Sequence, residues 1–144
     1  MIHLVLVTLT GTKFDDDVYE VILPTLDGEI GVLPGHMPLF SVATNGVISV
    51  KRGPQDPEWQ REYFAVSGGV IEVLDDTLRV VVDEADHAAE INEAEAEAAH
   101  QRAQQLKAEA KDEVSLENAQ TLVDRSAVRL QVAQLHRRHA NRRQ

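Results

Sequence analysis

The sequence predicts an α+β protein in which an antiparallel β-sandwich or barrel is followed by an antiparallel hairpin of two helices. All eight glycines and all five prolines of the 144-residue chain lie at or before residue 69. Beyond residue 85 the chain consists largely of Ala, Glu, Gln, Arg and Leu, which favour helices. Residues 1–87 hold 5 basic and 15 acidic side chains, whereas residues 88–144 hold 9 of each. We therefore expect a β-sandwich domain over 1–86 and a helical hairpin domain over 87–144.

Short β-branched or alternating runs, separated by turn signals, predict the strands of the first domain. The runs cover residues 2–10, 18–23, 46–52, 61–67, 70–74 and 77–83. Pro24 is expected to end the second run, because proline has no amide hydrogen to donate to a neighbouring strand. Several short strands at this spacing are typical of a sandwich or barrel. The polar segment 51–62 is expected to be a long hairpin tip, with Trp59 covering the edge of the sandwich.

Apolar residues at a spacing of 3.6 predict the two helices of the second domain. In the first helix they are Ile91, Ala94, Ala98, Ala103, Leu106 and Ala110, and in the second Leu116, Ala119, Val123, Ala127, Leu130 and Ala133. The short connection 112–115 predicts an antiparallel hairpin, with Ser115 as N-cap of the second helix. Because burial of alanine stabilises little, this hairpin is a candidate for undocking while staying helical. The alternative is that alanine merely permits close helix packing.

Composition excludes several classes of function. The chain has no cysteine, which rules out disulfides, thiolate metal sites and cysteine nucleophiles. A net charge of −10 argues against a general nucleic-acid binder. No run approaches the ~20 apolar residues of a membrane span, and no signal peptide opens the chain, so we expect a cytosolic protein. We find no catalytic constellation and predict neither a cofactor nor a metal, since His136 and His139 lack a third ligand.

The densest motif is DGEIGVLPGHMPLF over residues 27–40. Its three glycines and two prolines predict a tightly shaped surface loop between strands. It lacks both the Gly-x-Gly-x-x-Gly spacing and a Gly-Lys-Ser/Thr ending, which argues against a phosphate cradle. His36 has no second histidine at metal-ligand spacing, and we expect it to be packed or hydrogen-bonded within the loop.

This motif, followed by Gly-Val-Ile at 46–48 and AVSGGVIEV at 65–73, resembles the epsilon subunit of bacterial F-type ATP synthases. The order and spacing of the motifs match that family, and the resemblance covers residues 2–135. The tip 51–62 is longer than is typical, and the arginine-rich end beyond Leu135 is unusual.

The resemblance implies a non-catalytic subunit of a proton-translocating ATP synthase, peripheral on the cytoplasmic face of the cell membrane through the complex alone. Its β-sandwich would couple the gamma subunit to the c-ring. By motif position, Glu29 and His36 are the polar candidates for this rotor interface, and Gly31, Pro34 and Pro38 shape the loop. Glu29 could equally be a solvated turn residue and His36 a structural one.

The resemblance also implies that the C-terminal helices inhibit ATP hydrolysis by moving from a docked to an extended state beside the catalytic alpha/beta head. The charge pattern is compatible with this role. Residues 88–124 hold 3 basic and 9 acidic side chains, whereas residues 125–144 hold six arginines and no acid. Such a cationic end would be attracted to acidic surfaces, and the attraction would fall with salt. The alternative is a solvated helix end that is stabilised by its own dipole.

Some members of that family bind ATP on the folded hairpin, through an Ile/Leu-Asp-x-x-Arg-Ala motif and two arginines of the second helix. The matching positions here are Ile91, Asn92, Glu95, Arg125 and Arg129. The motif's acid is replaced by Asn92 and its arginine by Glu95, which puts a negative charge where triphosphate oxygens would approach. We therefore predict weak or absent ATP binding.

Two other readings of the sequence remain open. One is a free-standing adaptor, with a partner-binding loop near His36 and a helical hairpin for dimerisation. The other is a small nucleotide-sensing protein that uses Arg125 and Arg129, which lie four residues apart on one helix face.

Overall fold

Within residues 1–142, which the computed structural model describes, ten strands precede two helices. The strands are β1 (Ile2–Thr8), β2 (Gly11–Val18), β3 (Glu20–Thr25), β4 (Gly28–Val32), β5 (Leu39–Ala43), β6 (Gly46–Lys51), β7 (Glu62–Val66), β8 (Gly69–Leu74), β9 (Thr77–Val82) and β10 (Ala85–His87). The helices are α1 (Glu93–Glu109) and α2 (Glu113–Arg142), and 3₁₀ turns span Glu58–Gln60 and Ala88–Glu90. The last two residues of the expected helical domain, 143 and 144, lie outside the described range.

The strands form one continuous path that curls into a sandwich. Its order is β10-β7-β6-β3-β5-β8-β9-β1-β2, and β4 pairs with β3 beside this path. The pairs are antiparallel except for β1 and β9, which run parallel with Leu4 opposite Leu78. Phe14 of β2 packs edge-on against Phe64 of β7, with ring centroids 5.9 Å apart, so the two ends of the path approach one another. The expected fold class is confirmed.

Alternating burial builds the core of the sandwich. Ile2, Leu4 and Leu6 of β1 are fully buried, and the residues between them are partly exposed. The same period of two recurs in β9, where Leu78 and Val80 are fully buried. Because successive side chains of a strand point to opposite faces, this alternation sends one face of each strand inward.

The expectation that Pro24 ends a strand is wrong. Pro24 lies inside β3, opposite Glu29 of β4. Its carbonyl oxygen accepts the amide hydrogen of Thr44 at 3.2 Å, on the side of β3 where the neighbouring strand changes from β6 to β5. The missing amide hydrogen of Pro24 faces the same side, so the β3–β4 pairing loses no bond.

The helices form the expected antiparallel hairpin, but the N-cap of α2 is not Ser115. The Asp112 Oδ1 accepts the amide hydrogen of Ser115 at 2.7 Å and so caps the first turn of α2. This backbone hydrogen bond also lowers the pKa of the Asp112 carboxyl. Asn92 caps α1 in the same way, because its Oδ1 accepts the amide hydrogen of Glu95 at 3.0 Å.

The buried stripe of the hairpin differs in part from the expected one. Ala103, Ala119 and Ala133 are buried as expected, whereas Ala94, Ala98, Leu106, Leu116 and Ala127 are exposed. The other buried helical residues are Ala96, Ser126 and Val132. Alanine occupies so many positions of α1 that several stripes are equally apolar, and only the packing against α2 selects one. No described helix is both long and apolar enough to cross a membrane.

Candidate functional site

The helical hairpin, which we call the arm, is docked on the sandwich through a small apolar contact. Val132 of α2 is fully buried together with Ala65 of β7 and Ala88, while Val47, Tyr63, Ile91 and Val128 pack beside them. We call these seven residues the docking interface. Two of its three buried side chains are single methyl groups, and full burial of a valine stabilises by only about 1.5–3 kcal/mol. The arm is therefore held far less strongly than the strands are held together.

Ion pairs surround the docking interface. Arg125 Nη1 lies 3.8 Å from Glu84 Oε1, and Arg129 Nε lies 3.6 Å from Asp86 Oδ2, so α2 is paired with the connection between β9 and β10 and with β10 itself. These side chains are partly exposed, with 33–63% of each accessible to solvent. Exposed pairs typically contribute about 0–1 kcal/mol each and weaken with salt. These ion pairs therefore help to orient the arm but contribute little free energy to its docking.

A cleft of about 530 Å³ lies between α1, α2 and Glu84. It brings together three of the residues singled out in the sequence, Glu95, Arg125 and Arg129, and it adds Arg102, which sequence reasoning missed. The spacing could have found Arg102, since it follows Glu95 by seven residues and therefore lies on the same face of α1. The cleft carries both signs of charge, so a bound anion would meet a carboxylate as well as the guanidinium groups.

The two other candidate residues near the start of α1 have structural roles in the docked arm. Ile91 packs in the docking interface, and Asn92 caps α1. Neither lines the cleft. The Nε of Arg125, which lines the cleft, is buried without a hydrogen-bond partner among the described residues. An unpaired buried donor of this kind is costly.

The glycine- and proline-rich loop is built around a type II turn over residues 33–36. The His36 amide hydrogen bonds to the Leu33 oxygen at 3.1 Å, Pro34 fixes the first central residue, and Gly35 has a φ of +83° that favours glycine. The Gly35 amide donates to Asp76 Oδ1 at 2.7 Å, which ties the loop to the β8–β9 turn. The ring of half-buried His36 bonds within the loop, since its Nδ1 donates to the Met37 oxygen at 2.6 Å.

The structure spreads the rotor-interface candidates over two ends of β4. Glu29 is exposed near the start of that strand, opposite Pro24, whereas His36 follows its far end. At about 3.3 Å per residue, Glu29 lies about 10 Å along the strand from Val32, before the loop begins. Gly31, Pro34 and Pro38 are exposed. The candidates therefore do not form a single cluster.

An exposed apolar face, which the sequence analysis missed, crosses the outer side of the sheet. The strand register places Val42 of β5 opposite Val70 of β8, and Val70 opposite Val81 of β9. These three valines are 36–45% exposed, and Phe40, two residues before Val42 on the same face, is 72% exposed. We call these four residues the valine row. Glu72 and its cross-strand partner Arg79 lie on the same face and separate the row from Leu74. Exposed apolar surface of this kind is typical of interaction sites, and its sequence signal is the presence of apolar residues on both faces of β8.

Solved structures share this fold. A chain of the Euglena gracilis mitochondrial ATP synthase, in a structure of its OSCP, F1 and c-ring, matches with a TM-score of 0.77 and 22% identity over 92% of this chain and 80% of that one. A chain from the central stalk and c-ring of the Tetrahymena thermophila mitochondrial ATP synthase matches with a TM-score of 0.58 and 16% identity, over 94% and 96% of the two chains.

Sequence comparison identifies the family. The model of the ATP synthase delta/epsilon chain β-sandwich domain matches residues 1–88. The ATP synthase epsilon chain of Chloroflexus aggregans is 39% identical over 137 residues, which cover 94% of both chains. That of Halalkalibacterium halodurans is 32% identical over 92% of this chain and 96% of its own. Since these matches span the sandwich and the arm alike, the chain belongs to the ATP synthase epsilon-chain family.

Proposed function

We propose that this chain is a non-catalytic subunit of the central stalk that links the gamma subunit to the c-ring during proton-driven ATP synthesis. The observation that carries the proposal is the valine row, an exposed apolar face on a sandwich whose own core is complete. A rotor subunit transmits torque through its contacts and needs no chemistry of its own. We assign the valine row to the gamma subunit, because a stable interface needs a desolvated apolar centre.

The loop over residues 33–38 supports a contact with the c-ring. Its turn is fixed by Gly35 and tied to Asp76, so Pro34, His36 and Pro38 are presented on a rigid edge of the sandwich. Glu29 and Gly31 are exposed on β4, the strand that leads into this loop. Through this contact the chain would lie at the cytoplasmic face of the membrane as part of the complex, and not by inserting into it.

The docked arm supports a regulatory role. The docking interface is small and rich in alanine, while each helix has its own cap, so α1 and α2 can leave the sandwich as intact helices. Once extended, the arm would carry the arginines of α2 to acidic surfaces of the catalytic alpha/beta head and oppose ATP hydrolysis. Removal of residues 116–144 should raise the ATPase activity of the assembled enzyme, and unchanged activity would contradict this role.

The cleft supports the prediction of weak or absent ATP binding. Glu95 lines the cleft together with Arg125 and Arg129. The two guanidinium groups would attract a triphosphate, but the Glu95 carboxylate would repel it. A calorimetric titration of the isolated chain with ATP should show no micromolar affinity. Glu95→Arg, which restores the charge of the family motif, should increase the affinity.

Co-elution with purified gamma subunit tests the rotor assignment. Val70→Asp places a charge at the centre of the valine row and should weaken binding at least tenfold, because the carboxylate would have to be desolvated. Val114→Asp is the matched control, since Val114 is 68% exposed at the start of α2, away from the row. Equal binding by both variants would contradict the assignment. Self-association of the chain without binding to gamma would favour the adaptor.

A further inference from the structure

His87 lies where the sandwich ends and the arm begins. It is the last residue of β10 and precedes the 3₁₀ turn Ala88–Glu90. Its Nδ1 accepts the amide hydrogen of Ala89 at 3.0 Å, and its Nε2 lies 3.1 Å from Glu62 Oε1. A backbone amide can only donate, so Nδ1 carries no hydrogen and Nε2 donates its own to Glu62. The geometry therefore requires a neutral imidazole.

The capped turn presents part of the docking interface. Ala88, which follows His87, is 2% exposed against Val132 of α2. The amide of Ile91 donates to the Ala88 oxygen at 3.2 Å, which closes the turn and places Ile91 beside the same contact. The hydrogen bond from Ala89 to His87 thus holds the segment that positions Ala88 and Ile91 for docking.

Protonation of His87 acts on the two ring nitrogens in opposite ways. A hydrogen on Nδ1 would point at the amide hydrogen of Ala89, so the cap would be replaced by two opposed donors. The bond from Nε2 to Glu62 would survive and become charge-assisted. The ring also packs edge-on against Phe64, with centroids 5.0 Å apart. A protonated His87 would therefore stay attached to the sandwich while the turn that begins the arm is released.

The charged groups around the ring do not remove this conflict at Nδ1. The titratable and charged side chains of the neighbouring elements include Asp16 of β2, Arg52 after β6, Glu62 and Tyr63 of β7, Asp86 of β10, Glu90 and Glu93 before and in α1, and Arg125, Arg129, Arg137 and His139 of α2. Glu62, the carboxylate in contact with the ring, lies at Nε2 and is itself paired with Arg52. Asp86 and Glu93 are paired with Arg129 and Arg137.

We propose that His87 is a proton-sensitive hinge cap, which holds the arm docked when its imidazole is neutral and releases the arm when Nδ1 is protonated. The proposal rests on the mobile arm of the proposed function and adds what shifts it. Docking then releases a proton, so the extended state is favoured as the pH falls.

Energy transfer between two fluorophores on the full chain tests the proposal. The chain has no cysteine, so Lys13→Cys on exposed β2 and Gln131→Cys on the exposed side of α2 provide unique labelling sites. Between pH 8 and pH 5.5 we expect the ratio of extended to docked arm to rise roughly fivefold, the effect of losing one helix cap. His87→Asn keeps an amide oxygen for the Ala89 hydrogen without titrating, so its arm should stay docked at both pH values. His87→Lys offers no acceptor, so its arm should be released at both.

Two further variants distinguish a failure of the hinge cap from a failure of the mobile arm. His139→Asn changes another histidine of the arm, which packs edge-on against Tyr63 with centroids 5.3 Å apart, and it should keep the pH response. Val132→Asp should extend the arm at every pH and so shows the signal of the extended state. If that variant opens while the wild type shows no pH response, or if His87→Asn still responds, the hinge cap is overturned and the mobile arm stands. If Val132→Asp stays docked, the mobile arm of the proposed function itself fails.

Discussion

The sandwich core and the docking interface are two contacts of one chain that differ in what they bury. The core is filled by branched and aromatic side chains from strands distributed over residues 2–85. The docking interface buries one valine and two alanines, with exposed ion pairs beside them. Because stabilisation follows the apolar area removed from water, the sandwich core contributes far more to stability than the docking interface does. Under the proposed function, this difference would let the arm leave the sandwich while the sandwich stays folded.

The largest effect expected from this comparison is that of a cavity created in the sandwich core. Leu78→Ala removes a fully buried side chain of β9 and should lower the free energy of unfolding by about 2–5 kcal/mol. Urea denaturation followed by circular dichroism measures this change. If the loss were below about 1 kcal/mol, the two contacts would not differ as we describe.

A smaller cavity in the docking interface should affect only the arm. Val132→Ala removes two buried carbon atoms and should shift the docking equilibrium by about 2 kcal/mol towards the extended state. Hydrogen exchange should show weaker protection where the arm meets the sandwich, whereas the sandwich strands should unfold at an unchanged urea concentration. A parallel loss of stability in the strands would show that the two regions form one cooperative unit.

Two glycines of the motif over residues 27–40, Gly35 and Gly31, should differ in the cost of adding a side chain. Gly35→Ala should cost about 1–2 kcal/mol, because the φ of +83° is unfavourable for a side chain even where no atom lies within 4 Å. Gly31→Ala is the matched control, since its site is equally open without a positive φ, and it should change the unfolding midpoint little. Thermal unfolding of both variants compares them directly.

Lowering the pH should weaken the contact between β7 and β10. Burial would raise the pKa of the Glu62 carboxyl, but the hydrogen bonds from Arg52 and His87 outweigh it and lower that pKa below its ordinary value. A group with a depressed folded pKa stabilises above its unfolded pKa, and this stability is lost as the pH falls through the folded pKa. Glu62→Gln should therefore lower the melting temperature at pH 6 and lose that effect near pH 3.

The smallest effect should come from salt on the ion pairs of the arm. Raising the ionic strength from about 0.05 M to 0.5 M should shift docking towards the extended state by less than about 1 kcal/mol, because exposed pairs are weak and readily screened. The same energy-transfer signal measures this shift. Arg129→Gln should reduce the dependence on salt, since it removes the pair with Asp86.

Sequence reasoning worked where a pattern had one solution. The alternation of Leu78, Val80 and Val82 matches the burial of β9, and the motif around His36 gave both the loop and the family. It failed to find β2, β4, β5 and β10. The three aspartates at 15–17 of β2 are untypical of a strand, so the sequence pattern did not indicate one there. They are tolerated because β2 is the last strand of the path and leaves their side chains exposed.

What the sequence determined by itself is the division of the chain and the capacity of each half for strands or helices. These are local properties of composition and period. Only the tertiary structure decided which alanines are buried, that Arg102 shares a cleft with Glu95, and that His87 caps the turn into the arm. Each of these features depends on which distant segment of the chain packs against the residue concerned. Where many equivalent small side chains repeat along a helix, the sequence does not specify which of them makes that contact.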